Sequence, residues 1–190
     1  MTRSIETILG VLIVFIPGLF AGCSNQPSKP QIIYSKDYDC RVTVEPGWRK
    51  TDRLHPSAML QLHRGKEECY LVVMGGFKID MDYGKYRTHK SLEDFVELTK
   101  QDREKKLKSF KMGPVKKLTL NGSPAVQFEY SGIAQGPDEI HCAYIQTFVE
   151  TRAYVFEIVT WTRIEMLEEN RKKLEAVISK FEQTPPPDQQ

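Results

Sequence analysis

The chain has 190 residues, 27% charged and 40% hydrophobic, with 27 Lys and Arg against 25 Asp and Glu for a formal net charge of +2. A balance this near neutral excludes a dedicated nucleic-acid binder, which carries a strong basic excess. The length suits one domain with its own core, and no internal repeat is apparent.

Three zones open the chain. Met1 to Thr7 is short and polar, with Arg3 and the terminal amine positive and Glu6 partly offsetting them. Ile8 to Ile16 is apolar without a break, and Pro17-Gly18 then interrupts any helix before the small residues Ala21 and Gly22 lead into Cys23. That order is the order of a secretory signal peptide. The uncharged run is also shorter than the ~20 residues a spanning helix needs, and it is broken by the Pro-Gly pair.

Phe20-Ala21-Gly22-Cys23 resembles the lipobox of bacterial lipoproteins, with Phe20 where that family most often has Leu. The resemblance implies that the Cys23 sulfur receives a diacylglyceryl group, that residues 1–22 are removed, and that the new amine is acylated. Only a thiol supplies the nucleophile for this alkylation. Two or three acyl chains anchor firmly, because each buried methylene contributes roughly 0.8 kcal/mol. The family retains lipoproteins at the inner membrane through an aspartate after the cysteine. Here that residue is Ser24, which implies the outer membrane facing the periplasm in a Gram-negative cell.

Residues 23–31 then read as a lipidated tether, polar with two prolines. Residues 32–182 form the expected domain. Residues 183–190 hold three consecutive prolines and no apolar face, and read as a disordered tail.

"YDCRVTV" alternates as a half-buried strand, and "EPGW" turns it so that Trp48 folds over the core edge. "AMLQL" and "CYLVVMGGF" form a hairpin around "RGKEE". "YGKYRTHK" is a loop with Tyr83, Tyr86 and His89. Ser91 opens a helix with Asp94 in a capping box, burying Leu92, Phe95, Val96 and Thr99. Its charged second half, "KQDREKKLKSF", has Leu107 and Phe110 as later anchors and reads as a solvated helix face rather than a lipid-contacting patch. "VKKLTL" turns at Asn121-Gly122 into "PAVQFEY". "EIHCAYIQTFV" and "AYVFEIVTW" are apolar on both faces and belong in mid-sheet. A helix from about Arg163 to Phe181 closes the chain, with Ile164, Leu167, Leu174, Val177, Ile178 and Phe181 on one side. The class is α+β, with a largely antiparallel sheet of about six to seven strands sandwiched by helices.

"VEPGWRK", "LNGSPAVQFEY" and "YVFEIVTWT" with a helix ending "ISKF" resemble the PsbP and DcrB-like superfamily, which includes small eukaryotic Ran-binding import factors. The resemblance covers nearly all of Tyr34 to Phe181. It implies an α/β/α sandwich that acts in binding or assembly, and it carries over no site residue.

Besides Cys23 the thiols are Cys40, Cys69 and Cys142. Export permits one disulfide, and the odd count leaves at least one thiol outside it. Each lies in a predicted strand, where a buried structural cysteine is the commoner outcome. No C-x-x-C or H-x-x-x-H occurs, and His141 and Cys142 point to opposite faces of a strand. No metal site and no cofactor are expected.

Three functional readings follow. The first is a non-enzymatic, membrane-anchored envelope module that binds or assembles with a protein partner whose identity the sequence does not give. The second is a small-ligand carrier, with Trp48, Tyr83 and Tyr86 as candidate binding residues; edge packing is the commoner role for such aromatics. The third is an enzyme. G-x-S-x-G is absent and the histidines are scattered. A nucleophile pair of Cys142 with a histidine across the sheet would sit on an apolar face that keeps the thiol inert. No catalytic residue is assigned.

Overall fold

In the computed structural model, which describes residues 29–37, 39–78, 91–134 and 139–184, the two most apolar segments pair with each other at mid-sheet. These are β9 (His141–Glu150) and β10 (Tyr154–Arg163). Outward from β10 come β5 (Cys69–Phe77), β4 (Leu60–Arg64) and β3 (Arg49–Lys50). Outward from β9 come β8 (Ser123–Ala134) and then β6 (Leu107–Met112), with β7 (Lys116–Leu120) also paired to β8. Every pairing in this eight-stranded sheet is antiparallel. A separate three-stranded sheet runs β1 (Gln31–Tyr34), β2 (Cys40–Val44), β11 (Phe181–Gln183). The expected α+β fold with a largely antiparallel sheet is therefore the one adopted.

Alternation along β10 feeds two cores. Phe156 and Ile158 join the core under helix α2 (Leu167–Ser179), with Leu174, Val177 and Ile178. Cys40, Val42 and Val44 of the small sheet complete that side. Val155, Val159 and Trp161 point the other way, toward Leu92, Phe95 and Val96 of helix α1 (Leu92–Lys106). Burying a large apolar side chain contributes roughly 1.5–3 kcal/mol, so the apolar residues on both faces of β10 stabilise both cores.

Local chemistry sets the boundaries. Ser91 Oγ accepts from the Asp94 amide at 3.2 Å while the Ser91 amide donates to Asp94 Oδ2 at 3.0 Å, the expected capping box. Asn121 (φ 47°) and Gly122 (φ 84°) both adopt the left-handed geometry of a tight hairpin turn. The Asn121 side chain also donates to the Phe181 carbonyl, which ties this turn to the end of α2.

Three boundaries differ from expectation. Helix α1 stops at Lys106, and Leu107 and Phe110, expected as helix anchors, lie in β6. That segment lacks a continuous apolar stripe for a helix to bury, and the second half of β8 offers it a ladder. The closing helix ends at Ser179, and Phe181 enters β11 opposite Val42. Pairing runs on to Gln183, one residue past the expected domain edge at Glu182, and Thr184 is buried with its amide donating to the Asp39 carbonyl at 3.1 Å.

Candidate functional site

Of the site residues proposed from sequence, the described structure holds Trp48. Cys23, Tyr83, Tyr86 and His89 lie outside the described residues. Trp48 is only 4% exposed and belongs to the core on the α2 side, where its ring packs. Cys142 has Gly132 and Arg163 directly across from it on its two neighbouring strands, so the Cys–His pair considered for catalysis is not formed there. Burial pushes its thiol up to about 11. His55 is buried beside Gln61, whose Oε1 accepts from the Leu54 and His55 amides at 2.8 and 2.9 Å and whose Nε2 donates to the His55 carbonyl. Among the described residues no group of three His, Cys, Asp or Glu side chains is placed to hold a metal.

What the fold does assemble is a polar cluster between α1 and the sheet. Thr99 and Arg103 descend from the helix, Tyr130 stands on β8, Gln146 on β9 and Glu157 on β10, all of them buried. Gln146 Nε2 donates to Glu157 Oε1 at 2.7 Å and reaches Thr99 Oγ1 at 3.4 Å. The Arg103 guanidinium donates to Asp102 Oδ2 at 3.0 Å and lies 3.9 Å from Glu157 Oε1. Burial raises the Glu157 pKa to about 7, against the pull of Arg103 and with a push from Asp102. Burial works against the Arg103 charge, yet Tyr130, Glu157 and Asp102 hold its pKa above the ordinary value.

The chemistry of this cluster is positional. With Arg103, Gln146 and Glu157 all buried, it joins a helix to the middle of a sheet and is closed to solvent. A buried, hydrogen-bonded ion pair fixes one register of helix on sheet and is costly to break. Its signal in the sequence is faint: Gln146 inside "YIQTFV" and Glu157 inside "VFEIV", both on the side facing a charged helix.

A second buried anchor seats α2. Asn170 Nδ2 donates to Thr162 Oγ1 at 3.0 Å and to the Glu67 carbonyl at 2.7 Å, and Lys173 Nζ donates to Asn170 Oδ1 at 3.0 Å. Both helices are therefore pinned by buried polar groups as well as by apolar stripes, α1 at mid-sheet and α2 near the end of β10 and the β4–β5 turn.

Neither a protein-family model nor a curated protein sequence matches the chain. Solved structures do match. Cyanobacterial PsbP (CyanoP) from Synechocystis sp. PCC 6803 superposes with a TM-score of 0.57 at 13% identity, covering 88% of this chain and 98% of that one. LpqN, involved in cell envelope biogenesis of Mycobacterium tuberculosis, gives 0.55 at 12% identity over 83% of this chain and 91% of its own. A structure from Bacteroides thetaiotaomicron gives 0.54 at 11% identity over 84% of this chain and 50% of that chain. At such identities the likeness is one of architecture: among the described residues two α-helices, one large antiparallel sheet and a small second sheet make this a PsbP-like fold.

Proposed function

We propose that the protein is a lipid-anchored lipoprotein of the cell envelope whose domain binds or assembles with a partner protein and catalyses no reaction. The observation that carries this reading is Phe20-Ala21-Gly22-Cys23, placed after an apolar run and only eight positions before β1 begins at Gln31. No helix among the described residues is long and apolar enough to cross a membrane, and in this reading the acyl chains on Cys23 supply the attachment. The fold shared with LpqN, which is involved in cell envelope biogenesis, supports an envelope role. The binding role is supported by what the buried polar groups do: they seat helices. The three described thiols lie in the core with raised pKa values, which suits structure rather than nucleophilic attack. Ser24 after the cysteine supports the outer membrane in a Gram-negative cell.

Mass spectrometry of the membrane-extracted protein tests the anchor. An acylated Cys23 at the mature N-terminus is expected, and Cys23→Ala should leave unprocessed precursor. A wild-type chain that retains residues 1–22 would remove the basis for the reading.

A further inference from the structure

The end of helix α1 at Lys106 changes what the lysine-rich segment after it presents. Six of the thirteen residues from Lys105 to Lys117 are lysine, and no carboxylate occurs between Glu104 and Glu129. Those six charges exceed the net charge of the whole chain, +2. On a continued helix they would have spread around a cylinder. In the structure most of them line β6 and β7, which form one edge of the main sheet.

A bulge in β6 sets their direction. Lys108 pairs with Ile133 and Lys111 with Ser131, so three steps on β6 match two on β8, with Ser109 at φ 53° inside the bulge. The extra residue keeps Leu107 and Met112 both on the α1 side, against the aromatic core. It also sends Lys108 and Lys111 together to the opposite face, where Lys116 joins them by its register with Gln127. Val115, in the connection between the strands, is 43% exposed. Lys106, Lys108 and Lys117 pair with Asp102, Glu139 and Glu93. Lys105, Lys111 and Lys116 are exposed and have no ion pair among the described residues.

We infer that the β6–β7 edge rests on the anionic phospholipid surface of the membrane that holds Cys23. This inference rests on the lipoprotein reading above and names a surface that the same membrane meets. Two observations select that occupant. Cys23 and Gln31 are eight positions apart, which limits their separation to about 28 Å, so the domain cannot leave the neighbourhood of the bilayer. The edge is also basic with an exposed apolar residue at its bend, and each lysine near an anionic surface strengthens association roughly fivefold. Edge lysines also prevent strand-to-strand aggregation, but the bulge and the shortness of both strands already serve that end.

The test uses the full-length protein in phosphatidylcholine vesicles and in phosphatidylcholine–phosphatidylglycerol vesicles. Lysine acylation by a water-soluble succinimidyl ester is read by peptide mass spectrometry. Labelling of Lys111 and Lys116 should drop several-fold in the anionic vesicles and recover at high salt, while Lys172, exposed on α2, stays unchanged. Equal labelling in the two vesicle types overturns the inference, and so does protection that ignores salt. Lys111→Gln with Lys116→Gln should keep the wild-type melting temperature and abolish the salt-sensitive protection of Lys105. If that variant aggregates while Lys105 stays protected, the lysines only guard the edge and the inference fails. The anchor is read separately, by flotation with phosphatidylcholine vesicles. A chain that does not float there refutes the lipoprotein reading, and its flotation with anionic vesicles alone then decides the edge.

Discussion

Gln146 on β9 donates to the carboxylate of Glu157 on β10 at 2.7 Å, diagonally across the two central strands and beneath Arg103. The pair places an ionisable group in the buried α1 side of the sheet, where its charge state bears directly on folding. Burial lifts the Glu157 pKa from the ordinary 4.5 to about 7, so the folded protein keeps a proton that the unfolded chain has released. Its stabilising contribution is complete below about pH 4.5 and is lost as pH rises toward 7, an effect of about 3 kcal/mol. His63, whose pKa burial and Arg49 hold below the ordinary value, acts in the opposite sense over part of this window. The reading is therefore the difference between wild type and Glu157→Gln in urea midpoints at acid and alkaline pH: the variant should lack the fall. Arg103→Met should cost about 3–5 kcal/mol where Glu157 is ionised, and less where it is protonated. An Arg103→Met loss independent of pH would mean the two groups are not coupled.

Trp48 is held by the core on the α2 side, together with Phe181 of β11. Trp48→Ala should lower stability by about 3–5 kcal/mol, and Phe181→Ala by a comparable or smaller amount. Trp161→Ala, in the opposite core, provides the internal standard. Chemical denaturation of the three variants side by side checks this. A Trp48→Ala protein as stable as wild type would return the ring to the candidate binding residues.

The C-terminal strand makes a third prediction. Ending the chain at Phe181 removes the Glu182–Arg41 ion pair, the Gln183–Cys40 pairing and the Thr184 amide bond to Asp39. Net contributions of about 1 kcal/mol per buried hydrogen bond imply a drop of several degrees in melting temperature. A chain ending at Thr184 keeps all three contacts, so comparing the two endings isolates them.

Cys40, Cys69 and Cys142 are free and buried, and burial raises their thiols to about 12, 11 and 11. Iodoacetamide at mildly alkaline pH should leave all three unmodified in the native protein and modify all three in urea, since the thiolate is the reacting species. Rapid native alkylation at any of them would show an opening of that part of the core.

The β4–β5 and β7–β8 hairpins, the central position of β9 and β10 and the capped start of α1 were legible because each depends on local pattern: apolar runs, a Ser-x-x-Asp box, an Asn-Gly turn. Where a tertiary partner decides the outcome, pattern was silent. Residues 107–112 continue a helix by composition, yet β8 is long enough to recruit them as a strand. Cys40–Val44 reads as an ordinary half-buried strand, and only β11 reveals that it belongs to a second sheet. Of the candidate site, Trp48 was legible as a turn residue that packs. The Arg103–Glu157 cluster was not, because its members come from residues 99 to 157 and meet only when a helix lies across three strands.

The small sheet joins segments that lie far apart in the sequence. β2 lies at residues 40–44 and β11 at 181–183, and the Arg41–Glu182 contact spans 141 positions. A polypeptide made from its N-terminus cannot complete that sheet until residue 183 is free. Loop closure over such a span is entropically slow, so Trp48, Cys40 and Val42 wait without their final cover. This side of the core therefore stays loose until residues 181–183 arrive, and it locks only then.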